Sequence, residues 1–553
     1  MRQLEPVRFS SWPVRLALGL PVLIAIALMA PRILDAHFGL FDDPTSISVA
    51  QQTWAGQWDL RQDAGFGRFR PVYWLAFSLI YRLAGKQAAW YFVGNLILLA
   101  GTAWLLSGIV LRLTHRPLAA GVAGIAFALG GPVIEAAYTL SKPELLQCFF
   151  LTASGAALVL SSPAPSRRAR AGRVLLGSLF ILLAALTKET TGLVLAIALA
   201  WLVIPWLTAR LRVPRSAARL HPLLLADFLL AAGLGIACFV LGVFALSPTT
   251  TSGAGPQANF TFTRAVMAMN ARIWLVWLLR DWLYLLPLLV AAACFMATGR
   301  RLGQSTLVLG CLVWMGAWLA LYLPYRFTPE YYLLPFSLGS AALSGVLALM
   351  VVDAARGTRR AERIVATGSA GLAVALFALT IPNNLSNAGI QLSVDNANAA
   401  MLQFVADTAP QGGLVLVNIR NNFEYLLTLE PMLHLVYDRP DLAVTPYVDT
   451  DGHALAEVCE GLVLSPLIEN VPFPSVRLGI PELASREWEA SLQQELGGRL
   501  KLLREVRYSL DLLTIDASRL PCLVKPGMRY CGMPHTPFDT RRFAEGWRIY
   551  SVR

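Results

Sequence analysis

Eleven stretches of this 553-residue chain are long, apolar and nearly free of charge. They lie near 14–33, 89–111, 118–138, 145–160, 174–187, 190–208, 222–246, 281–298, 305–324, 331–352 and 364–381. A helix needs about 20 apolar residues to cross the hydrocarbon core of a bilayer. A helix that is apolar all round belongs in lipid or deep in a large core. This recurrence predicts a polytopic α-helical membrane protein of about eleven transmembrane helices. Composition agrees: 56% of the residues are apolar and 14% charged, against about 25% charged in soluble domains. Those values exclude an ordinary soluble enzyme, a disordered chain and a small secreted disulfide scaffold. The 174–187 stretch is short, and reads either as its own span or as half of a broken hairpin with the next. The first apolar run lacks a small-residue cleavage site, so it reads as a retained span and not a signal peptide.

The net charge of +12 divides unevenly, +17 over residues 1–381 and −5 over 382–553. A basic excess in the apolar part is a topology signal, because lysine and arginine collect in cytoplasmic loops. Arg2, Arg8 and Arg15 put the N-terminus in the cytoplasm. Alternation then makes five further loops cytoplasmic, and all five are basic: Arg112 to Arg116, Arg167 to Arg173, Arg210 to Arg219, Arg300 with Arg301, and Arg356 to Arg363. Aromatic and basic residues do not interleave as they do on strand-binding platforms, so nucleic acid is not an expected partner. The outer side receives the long first loop (34–88), 139–144, 188–189, 247–280, 325–330 and everything after Pro382. The localisation expected is integral to a bacterial inner membrane.

Residues 1–381 thus form one membrane module, and 382–553 has the size of one soluble domain. The latter alternates strand-like pieces (414–417, 442–448) with helix-like ones (421–436, 487–495, 541–548), which predicts a small extracytoplasmic α/β domain. Cys522 and Cys531 flank a Pro/Gly-containing loop there, compatible with a disulfide in an oxidising compartment. The six histidines are scattered, and no Cys/His set has zinc spacing.

Ionisable groups beside a bilayer are costly and mark candidate sites. Here they gather on the outer side. Asp42-Asp43-Pro44 follows the first span. One carboxylate there suffices to cap the helix expected over 47–54; two suggest a general base or a metal ligand. Arg68 and Arg70-Pro71 precede an amphipathic stretch, 72–83. They read either as headgroup anchors or as phosphate ligands. Glu135, Tyr138, Lys142 and Glu144 surround the second outer connection, between the third and fourth spans, and Lys188-Glu189 the next. The last two also read as a self-neutralising pair. Arg326 and Tyr331 lie in a tyrosine-rich loop that fits an interfacial aromatic belt. Asp281 follows Arg280, which predicts a local pair or a cap.

Taken in order, the acidic pair Asp42-Asp43 early in a long outer loop, Arg70-Pro71 opening an amphipathic segment, Lys188-Glu189 in mid-module and the later loop with Arg326 and tyrosines resemble the GT-C superfamily of glycosyltransferases. The branch with protein O-mannosyltransferases and aminoarabinose transferases looks most similar, over about residues 10–350. The resemblance implies transfer of a sugar from a polyprenyl phosphate to an acceptor hydroxyl on the outer face, by a single displacement that inverts the anomeric centre. It implies Asp42 or Asp43 as base, with Arg68, Arg70, Lys142, Lys188 and Arg326 toward the donor phosphate. Glu135, Tyr138, Glu144, Glu189 and Tyr331 would support them. Some members of the superfamily use a divalent cation; Asp42, Asp43 and Glu144 are the candidate ligands here. The acceptor is left open among glycan, lipid and protein. A transporter or flippase of lipid-linked saccharide is the alternative, but such proteins favour broken helices and polar groups at mid-membrane.

Overall fold

The computed structural model of the protein describes residues 11–40, 42–59, 69–160, 166–210, 222–246, 260–297, 304–325, 330–357, 359–419, 423–447, 461–469, 482–515 and 538–552. Among these, six helices are long and apolar enough to span a membrane, and two bent pairs raise the number to as many as eight. Three shorter apolar helices, Glu144–Val159, Glu189–Val203 and Thr306–Tyr322, bring every predicted span onto a helix. Leu23, Ile97, Leu241 and Val374 lie more than half exposed on outward faces. In water that arrangement would be unfavourable; against lipid chains it is neutral.

Three departures from the expected spans have local causes. Helix α1 (Trp12–Leu34) is regular, but the third expected span is bent by 52° between Pro117–Ala128 and Gly131–Tyr138. The bend falls at Gly130-Gly131-Pro132, where proline lacks an amide donor. The span read as short begins earlier, at Arg167, and runs unbroken to Thr187. Residues assigned to an outer loop, Arg264–Asp281, are helical and meet Leu285–Ala297 at a second break. Arg280 pairs with Asp281 there as predicted, at 2.7 Å.

Small residues let the helices approach closely. A Cβ on Gly124 would stand 2.2 Å from the Ser107 hydroxyl and 2.5 Å from Pro21, so Pro117–Ala128 packs against both α1 and Ala88–Thr114 only because position 124 is glycine. The helix Leu334–Ala355 is almost wholly buried at the centre.

The last membrane helix does not stop at the expected boundary of 381/382. It runs from Arg360 to Thr408 with Pro382 inside it, so the outer unit stands on a continuous helix and not on a linker. Arg439 ties the end of that helix to the outer unit. Its guanidinium donates to the carbonyls of Ala406, Ala409 and Pro410 and pairs with Asp441 at 2.8 Å. A cation at a helix C-terminus meets the carbonyls that lack intrahelical partners.

The outer unit contains one five-stranded mixed sheet, with strands Ala443–Pro446, Leu414–Val417, Gly461–Glu469, Phe538–Val552 and Leu500–Ile515 side by side in that order. The first three are parallel and the last two antiparallel. Helices Phe423–Leu435 and Glu482–Leu496 accompany it, as the sequence reading expected over 421–436 and 487–495. Residues 541–548, expected to be helical, lie instead inside the strand Phe538–Val552, paired with Leu500–Ile515 throughout and with Gly461–Glu469 from Ala544 onward. The aromatic and β-branched residues Trp547, Ile549, Tyr550 and Val552 suit a pleated surface. Gly546 allows the adjacent strand to come close: a Cβ there would lie 1.9 Å from the Val506 carbonyl oxygen. Cys522 and Cys531 lie outside the described residues.

Gly546→Ala is therefore expected to destabilise the protein by about 1–3 kcal/mol, the usual cost of overpacking. A fall in melting temperature of the full-length protein in detergent checks this. An unchanged value would mean that the two strands do not pack as described.

Candidate active site

The connections at one end of the helical bundle converge on one cluster. Asp42 and Asp43 open the helix Asp42–Trp54. Successive helical residues point about 100° apart, and the two carboxylates separate accordingly. Asp43 turns inward and is 5% exposed. One of its oxygens accepts from the Gly39 amide at 2.7 Å. The other accepts from the Ser141 hydroxyl at 2.6 Å and the Ser141 amide at 3.2 Å. Ser46 extends this network, donating to Ser141 at 2.9 Å. Asp42 turns outward, its side chain 59% exposed, and pairs with Lys142. The acidic pair thus divides into a buried latch between two connections and an accessible carboxylate.

Burial is the main influence on Asp43. It pushes the carboxyl up to about 6, against the opposing effect of the Ser141 and Gly39 hydrogen bonds. At Lys142, burial alone would favour the neutral amine, but Asp42 outweighs it and holds the ammonium above its ordinary range.

Lys188 and Glu189, adjacent in sequence, do not neutralise each other as a closed pair. Lys188 pairs with Glu144, and both are buried. Glu189 accepts a two-pronged contact from Arg70, at 3.0 Å from Nε and 2.8 Å from Nη2. The short turn Glu189–Gly192, between helices Arg167–Thr187 and Leu193–Arg210, lets neighbours reach different partners. Gln147, one turn beyond Glu144, donates to Thr190 and Thr191 at 3.1 and 2.8 Å and holds that turn against Glu144–Val159.

Two tyrosines connect these pairs. The Lys142 ammonium lies 4.7 Å from the Tyr331 ring centre, and that of Lys188 lies 4.1 Å from the Tyr332 ring centre. The two rings are themselves 4.9 Å apart, so the two lysines flank one aromatic pair. Cation–π contact of this kind is strongest where water is excluded. Tyr322 stacks on Tyr332 at 5.1 Å. Glu135 is half-buried on Gly131–Tyr138 and contributes to the field at Tyr331.

Tyr138 stands apart from the cluster. Its hydroxyl donates to the Leu28 carbonyl at 2.6 Å, which is a structural tie to α1. Arg68 and Arg326 lie outside the described residues. Among the described residues no group of three histidine, cysteine or acidic side chains is arranged to hold a metal ion. Of the three candidate ligands, Asp42 and Glu144 each face a lysine and Asp43 faces Ser141 and Gly39, so they do not form a shared oxygen cage.

Sequence reasoning missed the support behind Asp43. Arg32, buried at the end of α1, pairs with Asp395 of the long helix and donates to the Tyr138 carbonyl at 3.1 Å. Its guanidinium carbon lies 3.9 Å from the Phe92 ring centre. Asp395 lies against Gly39, whose amide binds Asp43. A lone arginine at the end of a span was a visible signal; its partner, 363 positions away, was not.

An apolar cavity of about 200 Å³ lies within the helices that carry the cluster. Glu144–Val159, Ser305–Tyr322, Leu193–Arg210 and Leu334–Ala355 all line it, through residues such as Leu151, Trp314, Val194 and Leu338.

No protein-family model and no curated protein matches the sequence. Among solved structures the chain is similar to ArnT from Cupriavidus metallidurans bound to undecaprenyl phosphate, at 12% identity and TM-score 0.47, over 95% of this chain and 97% of that one. It is similar to the oligosaccharyltransferase AglB from Archaeoglobus fulgidus in complex with an inhibitory peptide and a dolichol-phosphate, at 12% identity and TM-score 0.49, over 99% and 89%. The arabinosyltransferase EmbB from Mycobacterium smegmatis gives 18% identity and TM-score 0.36, over 74% and 42%. At such identities and scores, what this chain does rests on its own site.

The Asp43 latch gives a pH prediction. Between about pH 4 and about pH 6 the folded chain keeps a proton on Asp43 that the unfolded chain has released. This group's contribution to stability is complete below that window and is lost as pH rises through it. Asp43→Asn cannot titrate. The melting temperature of the wild type minus that of Asp43→Asn should therefore fall as pH rises through the window, and level off above it. A difference that is flat or rises there contradicts the assignment.

Proposed function

We propose that the protein is a membrane glycosyltransferase that moves a sugar from a polyprenyl phosphate to an acceptor hydroxyl, on the face that carries the cluster. The observation that carries this reading is the convergence of three cation–carboxylate pairs, Asp42 with Lys142, Glu144 with Lys188 and Glu189 with Arg70, from separate outer connections. The reaction needs a base for the acceptor, positive charge for the departing phosphate and apolar room for a lipid chain. The first two are present in the cluster, and the helix Glu144–Val159 runs from it to the apolar cavity, which Leu151 lines.

Asp42 is the proposed base, because its carboxylate is the accessible one and pairs with Lys142. Asp43 positions it through Ser141 and Gly39. Arg70 and Lys188 are the proposed phosphate ligands. In the resting arrangement their charge is balanced by Glu189 and Glu144, so an arriving phosphate exchanges places with a carboxylate instead of entering a bare cationic site. Such pre-set charge stabilises the leaving group as it departs. The helix Pro71–Ala84, which Arg70 opens, exposes Leu75, Leu79 and Leu83 and would shape lipid entry. One base opposite one leaving group fits inversion, since a retaining route would need a second, nucleophilic carboxylate close by.

The topology follows the same reading: the N-terminus in the cytoplasm, the cluster and the sheet-containing unit outside, the membrane a bacterial inner membrane. Ionisable groups gathered at one end of the bundle favour an enzyme over a transporter.

Asp42→Asn is expected to lower the turnover of lipid-linked sugar by about 10²- to 10⁴-fold, the usual worth of a general base, with folded protein and donor binding retained. Arg70→Ala is expected to weaken donor binding about 10- to 100-fold, the usual worth of a charged hydrogen-bonded contact. Steady-state kinetics in lipid nanodiscs with a set of polyprenyl-phosphate sugars check both. Full turnover by Asp42→Asn would remove Asp42 as base.

A further inference from the structure

The helix Ser305–Tyr322 ends just before Pro324, which has no amide hydrogen to continue it. The carbonyls at and beyond its end therefore need donors from elsewhere. Each carbonyl from 322 to 325 finds one. That of Tyr322 accepts from the Tyr325 amide at 3.1 Å, and that of Pro324 from the Thr261 amide at 2.7 Å. Those of Leu323 and Tyr325 accept from one side chain, Asn270, at 2.8 and 2.6 Å. Only the nitrogen of a carboxamide can face carbonyls, and its two hydrogens serve two of them. Asn270 is fully buried while its neighbours Met269 and Ala271 are exposed. It stands on Arg264–Asp281, the helix found where a loop was expected.

The turn capped in this way carries aromatic rings. Phe260 bridges to Tyr325 through the backbone and meets its ring edge-on at 5.0 Å. Tyr325 meets Tyr322 at 6.0 Å and Tyr332 at 5.6 Å, again edge-on. Tyr332 is thus in contact with both rings of the turn, Tyr322 being stacked on it. It is also the ring whose centre lies 4.1 Å from the Lys188 ammonium. A chain of direct contacts therefore leads from the Asn270 amide, through two carbonyls and three tyrosine rings, to one cation of the cluster.

We infer that Asn270 is a positioning residue, which sets the rings of Tyr322, Tyr325 and Tyr332 against Lys188 and so fixes where that ammonium stands. Removing its amide strips two carbonyls of their donor at once, and a buried acceptor without a donor is costly. The turn then rearranges to reach other donors, and the rings move with it. The consequence for donor binding rests on the transferase reading, in which Lys188 holds the phosphate; the placement of the ammonium does not. On that reading the loss raises the donor KM by about 2- to 30-fold, the span of a cation–π contact. It leaves kcat near the wild-type value, because the contact acts before and during transfer alike.

The test reads Lys188 directly. The chain has five lysines, so the full-length protein in detergent, labelled with carbon-13 at lysine, gives few enough ε-methylene NMR signals to resolve. Lys188→Arg identifies one of them by its loss. In wild type the Lys188 signal is expected upfield of that of exposed Lys501, because it lies over an aromatic face. In Asn270→Ala it should move toward the Lys501 position, with the Lys86 and Lys501 signals unmoved. In Asn270→Ser, which keeps one donor, it should move less. Donor KM in nanodiscs should rise in the same order. A Lys188 signal unmoved in whichever variant folds, or moved together with those of Lys86 and Lys501, would overturn the inference. So would a lowered kcat with unchanged donor KM, the mark of lost folded protein and not of a misplaced ligand. A wild type that moves no sugar would count against the transferase reading instead, and the Lys188 signal would still decide whether Asn270 places the ammonium.

Discussion

A lysine and a glutamate are buried against each other where the outer connections of the bundle meet. Neither Lys188 nor Glu144 is tolerable there alone, because an unpaired charge in an apolar surround costs several kcal/mol. Once paired they fix the distance between two helices that sequence places 44 positions apart. The same constraint repeats at Asp42 with Lys142 and at Arg70 with Glu189. Each pair joins a different pair of connections. Together they draw the first outer loop, the second outer connection and the turn at Glu189–Gly192 onto one pair of tyrosine rings.

This arrangement makes the site electrically quiet until ligand arrives. Three cations face three carboxylates, and the stacked tyrosines supply polarizable surface without net charge. On the proposed function, an anionic headgroup would enter by exchange. That keeps the folded protein stable with the site unfilled, and it makes binding a competition between phosphate and carboxylate. Arg32 with Asp395 carries the same logic one layer outward, linking the end of the first helix to the helix on which the outer unit stands. The loop that carries Asp43 and the helix that leads to the C-terminal unit are thus in contact, through Gly39 and Asp395.

How much of this was legible in the sequence follows from what each signal depends on. Membrane helices are written in composition, and each predicted span falls on a helix. The strand 414–417 and the helix near 423–435 were also visible, since pattern alone defines them. Residues 541–548 were misread because a short stretch with three arginines and scattered aromatics fits either period; pairing with neighbouring strands decides the matter. Within the site, residue types were legible and partners were not. Lys188 and Glu189 looked like a closed pair because they are neighbours, yet the turn sends them apart. Asp42 and Asp43 were indistinguishable in sequence. Their roles differ only because Ser141, 98 positions on from Asp43, stands on one side of the helix and solvent on the other.

The central claim is that these pairs form one phosphate-exchanging site, with an apolar cavity farther along the helix that carries Glu144. The most direct measurement is a cryo-EM structure of the full-length protein in nanodiscs with added polyprenyl phosphate. The account predicts phosphate density between Arg70 and Lys188, with Glu189 or Glu144 displaced and the prenyl chain running toward Leu151 and Trp314. Phosphate density on the opposite basic face around Arg167 and Arg168, with all three ion pairs of the cluster intact, would contradict it.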